Sequence, residues 1–290
     1  MSWILVTLFC AITLAAHDAF CKKASDEIGT VLLGFIRWAA IVPFIAFIFP
    51  YIEIPKLSID FYITVLCLIP LEIIAIFLYV TAIKTSPLSV TLPFVSFTSP
   101  FVIFTGYILL GEKVSFIGFC GVLLITAGAY LINTHAIKEG ILAPIRAIGR
   151  ERGSLIMIAV AFIFSFTSVL GKRAILLSSP EFFGPFYILT ISVVLVPFVI
   201  IFGPPVKESI LEIKNSFKFV VLIGFFGTLS YLAHFKAISM VEAVYMISVK
   251  RTSFLFGIII GWIFFGESHF TERFLGGTLM LSGVFLIALF

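Results

Sequence analysis

The sequence predicts an all-α integral membrane protein, with ten transmembrane helices arranged as two inverted five-helix repeats around a central cavity. Three observations carry this prediction. The first is composition: the 290 residues are 61% hydrophobic and 12% charged, with a mean hydropathy of +1.22. That is more apolar surface than one water-soluble core can hide. The second is the recurrence of apolar stretches near 3–21, 29–50, 61–82, 88–110, 114–134, 154–177, 182–203, 217–237, 243–265 and 270–290. Each approaches the ~20 residues needed to cross roughly 30 Å of hydrocarbon. The third is an internal echo. Moving the chain by about 155 positions lays Ala82 to Glu112 onto Ala237 to Glu267 without a gap: Ala82-Ile83 on Ala237-Ile238, Phe101 on Phe256, Gly106 on Gly261, Gly111-Glu112 on Gly266-Glu267. The register continues through Gly121/Gly276, Gly128/Gly283 and Leu131-Ile132/Leu286-Ile287, and such self-similarity is the trace of a duplicated unit.

Taken in order, the first stretch lacks a basic leading segment and a small-residue cleavage site, so it reads as a membrane helix rather than a signal peptide. It ends at His17, Asp18 and Lys22-Lys23-Ala24. The second contains Arg37-Trp38 and the third Glu72. The fourth carries Pro87, Pro93 and Pro100, which free backbone carbonyls that need another partner or a wet cavity; such kinks suit a substrate path or a rocking element as well as tolerated packing. Glycines of the fifth, Gly118 and Gly121, suit close helix packing. His135 to Gly153 is longer than the other connections, so 1–134 forms the first repeat, 135–153 the connecting loop and 154–290 the second repeat. The sixth stretch ends in Lys172-Arg173-Ala174, which matches Lys22-Lys23-Ala24 at an offset of about 150, as Gly184 matches Gly34. The eighth holds Tyr231 and His234, and the ninth holds Lys250-Arg251. The short segments between stretches, such as KTSP and GPPVKESILEIKNS, read as turns or charged loops. Five helices per unit is an odd number, so the second copy must insert upside down, as in many secondary transporters.

Several function classes are disfavoured. The net charge of +4 is scattered over loops, with no basic stripe for nucleic acid. Cys10, Cys21, Cys67 and Cys120 have neither paired nor zinc-ligand spacing and read as packing residues. No metal, cofactor or catalytic motif is present. The 35 Phe residues follow all the apolar runs and read as lipid-facing and packing side chains.

Three cations, Arg37, Lys250 and Arg251, fall inside apolar stretches, where an ion costs a few kcal/mol unless it faces a cavity or a counter-charge. As a functional group they would bind a carboxylate or other anion of a solute; as a structural group they would form ion pairs or snorkel. Lys250 and Arg251 are adjacent, about 100° apart on a helix, so one of them lines the cavity. Glu72, the acid placed squarely mid-span, is expected to pair with Lys250 or Arg251, with a proton carrier as the other reading. Glu242, Met246 and Lys250 share a helix face. Trp38 offers an aromatic wall or a lipid contact. Ser96 is the repeat partner of Arg251, and Tyr231 and His234 are polar residues late in the eighth span. His17, Asp18, Tyr231 and His234 read first as interfacial or satisfied polar residues. The candidate substrate-binding set is therefore Lys250, Arg251, Glu72, Arg37, Trp38, Ser96 and Tyr231.

Two halves that each close with an "A-I … G-E … G … G" run, together with Lys22-Lys23-Ala24 and Gly34-Phe35-Ile36-Arg37, resemble the EamA-type branch of the drug/metabolite transporter superfamily. The resemblance implies a ten-helix basket with a central cavity that exports or exchanges amino acids, metabolites or drugs without ATP. The expectation is a secondary active exporter or exchanger of a small polar metabolite, an amino acid or organic acid, working by alternating access. It is not expected to be an enzyme. Its partners would be the small-molecule substrate, a coupling proton and the lipid bilayer, without nucleic acid or cofactor. It would act as a monomer or dimer, multi-pass in the plasma or inner membrane. The alternatives are a membrane-embedded lipid-headgroup enzyme and a lipid-flippase subunit or scaffold. Loop Lys and Arg residues divide about eleven to five in favour of a cytoplasmic connecting loop and outside termini, whereas the resemblance implies cytoplasmic termini.

Overall fold

The computed structural model describes residues 2–85, 92–134, 152–265 and 274–289, and every regular element among them is helical. In chain order these are α1 (Ser2–Ala24), α2 (Thr30–Ala39), α3 (Val42–Ile48) with a 3-10 turn at Phe49–Tyr51, and α4 (Ile59–Thr85). A 3-10 segment at Leu92–Phe97 leads into α5 (Thr98–Leu110), followed by α6 (Phe116–Thr134). Beyond the connecting loop come α7 (Arg152–Leu176), α8 (Pro180–Phe202), α9 (Val206–Asn215), α10 (Phe217–Ile238), α11 (Ala243–Lys250), α12 (Ser253–Phe265) and α13 (Phe274–Ala288). Six segments, 2–24, 30–51, 59–79, 152–176, 180–202 and 217–238, are long and apolar enough to cross a membrane, and α5, α6 and α13 are shorter apolar helices. Pro87, Gly266 and Glu267 lie outside the described residues.

Three expected continuous spans are interrupted. In 29–50 the chain turns at Ala40-Ile41 because Pro43 has no N–H and its ring crowds the carbonyl four residues back; the Ala40 amide still makes the helical bond to Ile36 O (3.0 Å), and the Ile41 amide tightens to Trp38 O (3.1 Å). In 243–265 there is no proline or glycine at the break. The Arg251 and Thr252 amides make tight i→i−3 bonds to Ser248 O and Val249 O, both 3.0 Å. The Thr252 hydroxyl takes the same Val249 carbonyl at 2.7 Å, an alternative to the helical ladder that Thr side chains offer. In 88–110 the described part begins as a 3-10 segment before α5. The helices that follow these last two breaks start at Thr98 and Ser253, which the repeat register superposes. The break is therefore part of the duplicated plan.

α9 was not expected. Its apolar Val206, Ile210, Leu211 and Ile213 alternate with Lys207, Glu208, Glu212 and Lys214, and Glu212 accepts the Gly29 amide at 3.0 Å.

Packing sorts the helices into two groups that each mix the halves. In one, α10 lies along α1, with α11 and α12 also against α1; in the other, α4 lies along α7, with the 92–97 segment and α5 also against α7. α6 and α13 pack on each other in antiparallel sense, Gly121 against the Gly283 carbonyl and Gly128 against the Gly276 carbonyl. The register that maps Gly121 on Gly276 maps Gly128 on Gly283, so each contact is carried into the other. Close approach also fixes Gly224 of α10, where a Cβ would collide with the Ala40 carbonyl at the α2–α3 break and meet the Phe44 ring at 2.7 Å. Gly224→Val should lower the melting temperature of the detergent-solubilised protein by more than the usual overpacking cost of about 1–3 kcal/mol, since the Ala40 backbone stands in the way; an unchanged melting curve would show that this contact yields.

Candidate functional site

The helix break at 251–252 sends its two cations in different directions. The Lys250 Nζ lies 3.4 Å from His234 Nδ1 on α10, with Cys10, Asp18, Glu72 and Arg251 as its other electrostatic neighbours. Arg251 places its guanidinium carbon 6.0 Å from the Phe254 ring centroid and faces Tyr79 of α4. Its Nε is buried without a hydrogen-bond partner, and among the described residues no carboxylate faces it. A guanidinium is a planar fork of donors that matches a carboxylate or phosphate, and here that fork has open valence.

Glu72 is 8% exposed on α4. Its carboxyl looks toward the hydroxyls of Thr167 on α7 and Tyr187 on α8, with Lys250 as a more distant charge. The expected Glu72–Lys250 or Glu72–Arg251 ion pair is not formed: no pair within 4 Å joins them among the described residues. The Lys250 Nζ sits beside His234 of α10, while the acid has the Thr167 and Tyr187 hydroxyls on its α7–α8 side. Glu242 is the N-cap residue of α11, and its carbonyl accepts the Tyr245 amide at 3.1 Å; it makes no ion pair with Lys250 despite the shared face.

Arg37 does pair, with an acid that the sequence left at a helix end. Its Nη2 donates to Asp18 Oδ1 at 2.6 Å, and the two side chains keep 39% and 48% of their surface. The aspartate is six residues from the end of α1, so this pair lies toward one end of the polar cluster. Trp38 turns inward: its ring centroid is 5.0 Å from Tyr231 and 5.9 Å from Tyr187, and Tyr187 meets Phe235 at 5.9 Å. The partly buried Trp38 thus packs in an aromatic cluster with Tyr187, Tyr231 and Phe235. Tyr231 stands between the two charge centres, with Arg37 and Glu72 both among its neighbours. Ser96 is fully buried in the 92–97 segment. His17, 1% exposed, lies with Nδ1 3.0 Å from Ile223 O, which ties α1 to α10 and makes it a packing residue.

The structure thus brings Lys250, Glu72 and Tyr231 into one cluster with Arg37 and Trp38 at its rim, and turns Arg251 to a neighbouring face. It adds His234, Tyr187, Thr167, Tyr79 and Asp18. One signal pointed to Tyr187: it is the mate of Arg37 at the 150-residue offset. Asp18, on the helix beside that of Arg37, carries no such mark.

The model of the EamA-like transporter family matches residues 1–134 and 151–289. One solved crystal structure superposes on the chain with a TM-score of 0.78 at 16% identity, over 100% of this chain and 96% of that one; the likeness concerns the fold. A search of the curated proteins returns no match.

Proposed function

The chain belongs to the EamA-like transporter family, of the drug/metabolite transporter superfamily, and from that premise we propose that it is a secondary active carrier for a small anionic metabolite, an amino acid or organic acid. It exports or exchanges this solute across the plasma or inner membrane. Ten spans, as two inverted five-helix repeats over 1–134 and 154–290, surround a central cavity between the two helix groups, and the groups rock about it. The observation that carries the substrate's charge is Arg251: a cation at a helix break between the groups, with a buried, unpartnered Nε and no facing carboxylate among the described residues. Lys250 assists from the adjoining face across the same break, where Trp38, Tyr231 and Tyr187 supply an aromatic wall for the rest of a solute that bridges the two faces.

The test is counterflow. Purified protein in liposomes preloaded with a mixed pool of amino and organic acids should accumulate one radiolabelled member offered outside. No accumulation of any acid, with accumulation of a cationic solute instead, would overturn the anion reading.

Glu72 is the group for a coupling proton, since its partners are hydroxyls and not a fixed cation. Glu72→Gln should retain exchange of labelled for unlabelled substrate while losing accumulation driven by a pH gradient; retained gradient-driven uptake would remove Glu72 from coupling.

A further inference from the structure

At one end of the molecule a second charged cluster has no part in the substrate site. Glu112, two residues past α5, accepts from Lys172 Nζ of α7 at 2.5 Å through Oε1 and from the Ala243 amide of α11 at 2.9 Å through Oε2. Lys172 also donates to the Val241 carbonyl at 2.5 Å. Both charged side chains are only 9% exposed. Glu112 is aimed by its own turn. Gly111 sits in the left-handed region at φ 68°, and the amides of Gly111 and Glu112 return to the Tyr107 and Gly106 carbonyls at 3.0 and 3.2 Å, which turns the next side chain back over the helix end. Beside it Tyr245, 2% exposed, accepts the Ser115 amide at 3.1 Å, its ring occupying the space that Gly118 leaves open.

The partners are divided between the helix groups. Glu112 and Lys172 belong to the α4/α5/α7 group and Val241 to the turn after α10, while α11, with Ala243 and Tyr245, lies between the groups, against α1 and α10 on one side and α5, α6 and α7 on the other. The cluster therefore closes the seam between the groups at this end. The opposite end differs. α10 runs roughly 33 Å, at 1.5 Å per residue, from Ser216, whose hydroxyl donates to Glu27 at 3.0 Å, to the turn that holds Val241. At the Glu27 end the Gly29–Glu212 and Ser216–Glu27 bonds tie the α1–α2 turn to α9 and α10 within one helix group, and the nearby Asp18–Arg37 pair keeps 48% and 39% of its side-chain surface. α11 begins at the Glu112 cluster and ends at Lys250, so one eight-residue helix spans from seam to substrate site.

We propose that Glu112 is a positioning residue that locks the seam: with Lys172 it holds the first turn of α11 against the other helix group, and its release tips the molecule toward opening at this end and closing at the other. The proposal rests on the rocking-carrier reading. The physical lever is the buried lysine. A paired ion of this kind is tolerated, but once its partner's charge is lost the remaining charge favours hydration, and opening the seam supplies the water.

The experiment measures spin-label distances in nanodiscs, without substrate, in a background with the four cysteines replaced by serine. One label pair, at Leu176 and Met240, spans the locked end; the other, at Asp26 and Thr85, spans the opposite end. All four positions are exposed. Glu112→Gln keeps an oxygen for the Ala243 amide and removes only the charge. It should raise the population of the long Leu176–Met240 distance about tenfold or more and shift the Asp26–Thr85 distance to shorter values. Tyr245→Phe, which removes the neutral acceptor of the Ser115 amide, should move both distances in the same directions by less. If the locked end loosens while the Asp26–Thr85 distance stays unchanged, Glu112 is a structural pin and the proposal is overturned; unchanged distances at both ends overturn it equally. Because no substrate is present, reciprocal movement in a protein that carries no anion would refute the substrate reading and leave the lock standing.

Discussion

Replacing Arg251 with Gln should abolish counterflow of the proposed anionic substrate, by about a hundredfold or more, without loss of fold stability. Both halves of this expectation come from the same geometry. A charge-assisted fork onto a carboxylate is among the strongest polar contacts, and removing one partner of such a desolvated pair costs about 2–5 kcal/mol, or a loss of roughly 30-fold to several thousandfold in kcal-to-rate terms. In the empty protein, Arg251 repays little of its own insertion. Among the described residues it makes no hydrogen bond through Nε and faces no carboxylate, although a central arginine costs about 2.5–3.5 kcal/mol on insertion scales. Its neutralisation should therefore leave the melting temperature of the purified protein unchanged or raised. Lys250→Met should behave differently, lowering transport and stability together, because Lys250 supports His234 and lies in the field of Glu72. Arg251→Lys keeps the charge but not the fork and should fall between. Paired scanning calorimetry and counterflow on the three variants decide the matter. Normal transport by Arg251→Gln would remove this residue from the site.

The contrast between the two cations bears on what could be read from the chain alone. The apolar stretches, the duplicated Gly-Glu segments and the unusual depth of Arg37, Lys250 and Arg251 are visible because each is a local or fixed-offset property of the sequence. Which cation is free is not visible, because it depends on where side chains 16 to 172 residues away arrive: His234 beside Lys250, Asp18 beside Arg37, Tyr79 beside Arg251. The breaks divide in the same way. That at Ala40-Ile41 is written in Pro43, whereas that at Arg251-Thr252 has no helix-breaking residue and is fixed by tight i→i−3 bonds and the Thr252 hydroxyl. α9 was hidden by its charges, since four ionisable side chains in ten residues mask an apolar stripe that only packing against the α1–α2 connection makes evident. Gly111-Glu112 was legible as a helix stop, and its left-handed glycine makes it one. That the glutamate then reaches two helices of the other half requires the fold.

The second large effect concerns the α6–α13 crossing and tests the duplicated plan at the level of stability. A Cβ on Gly128 would meet Met280 Cγ at 2.6 Å and the Met280 amide nitrogen at 2.8 Å; one on Gly283 would meet the Gly121 carbonyl at 2.6 Å and the Ile125 amide nitrogen at 2.9 Å. In both cases backbone atoms stand in the way, so the helices must separate rather than a side chain turn aside. Lipid offers no hydrophobic drive to hold separated helices together, and close backbone approach is what such pairs depend on. Gly128→Val and Gly283→Val should each destabilise by more than about 3 kcal/mol, beyond the usual overpacking range because backbone cannot relax, and should fail to give a monodisperse, cooperatively melting protein. Their effects should match, since the repeat register exchanges the two positions. Gly171→Ala and Gly257→Ala serve as controls: nothing lies within 4 Å of a Cβ at either, and alanine favours a helix by about 0.8–1 kcal/mol over glycine, so both should melt at or above the parent temperature. A well-folded Gly128→Val beside a collapsed Gly283→Val would mean that the two crossings are not equivalent, and that the register shared by the sequence halves is not shared by their contacts.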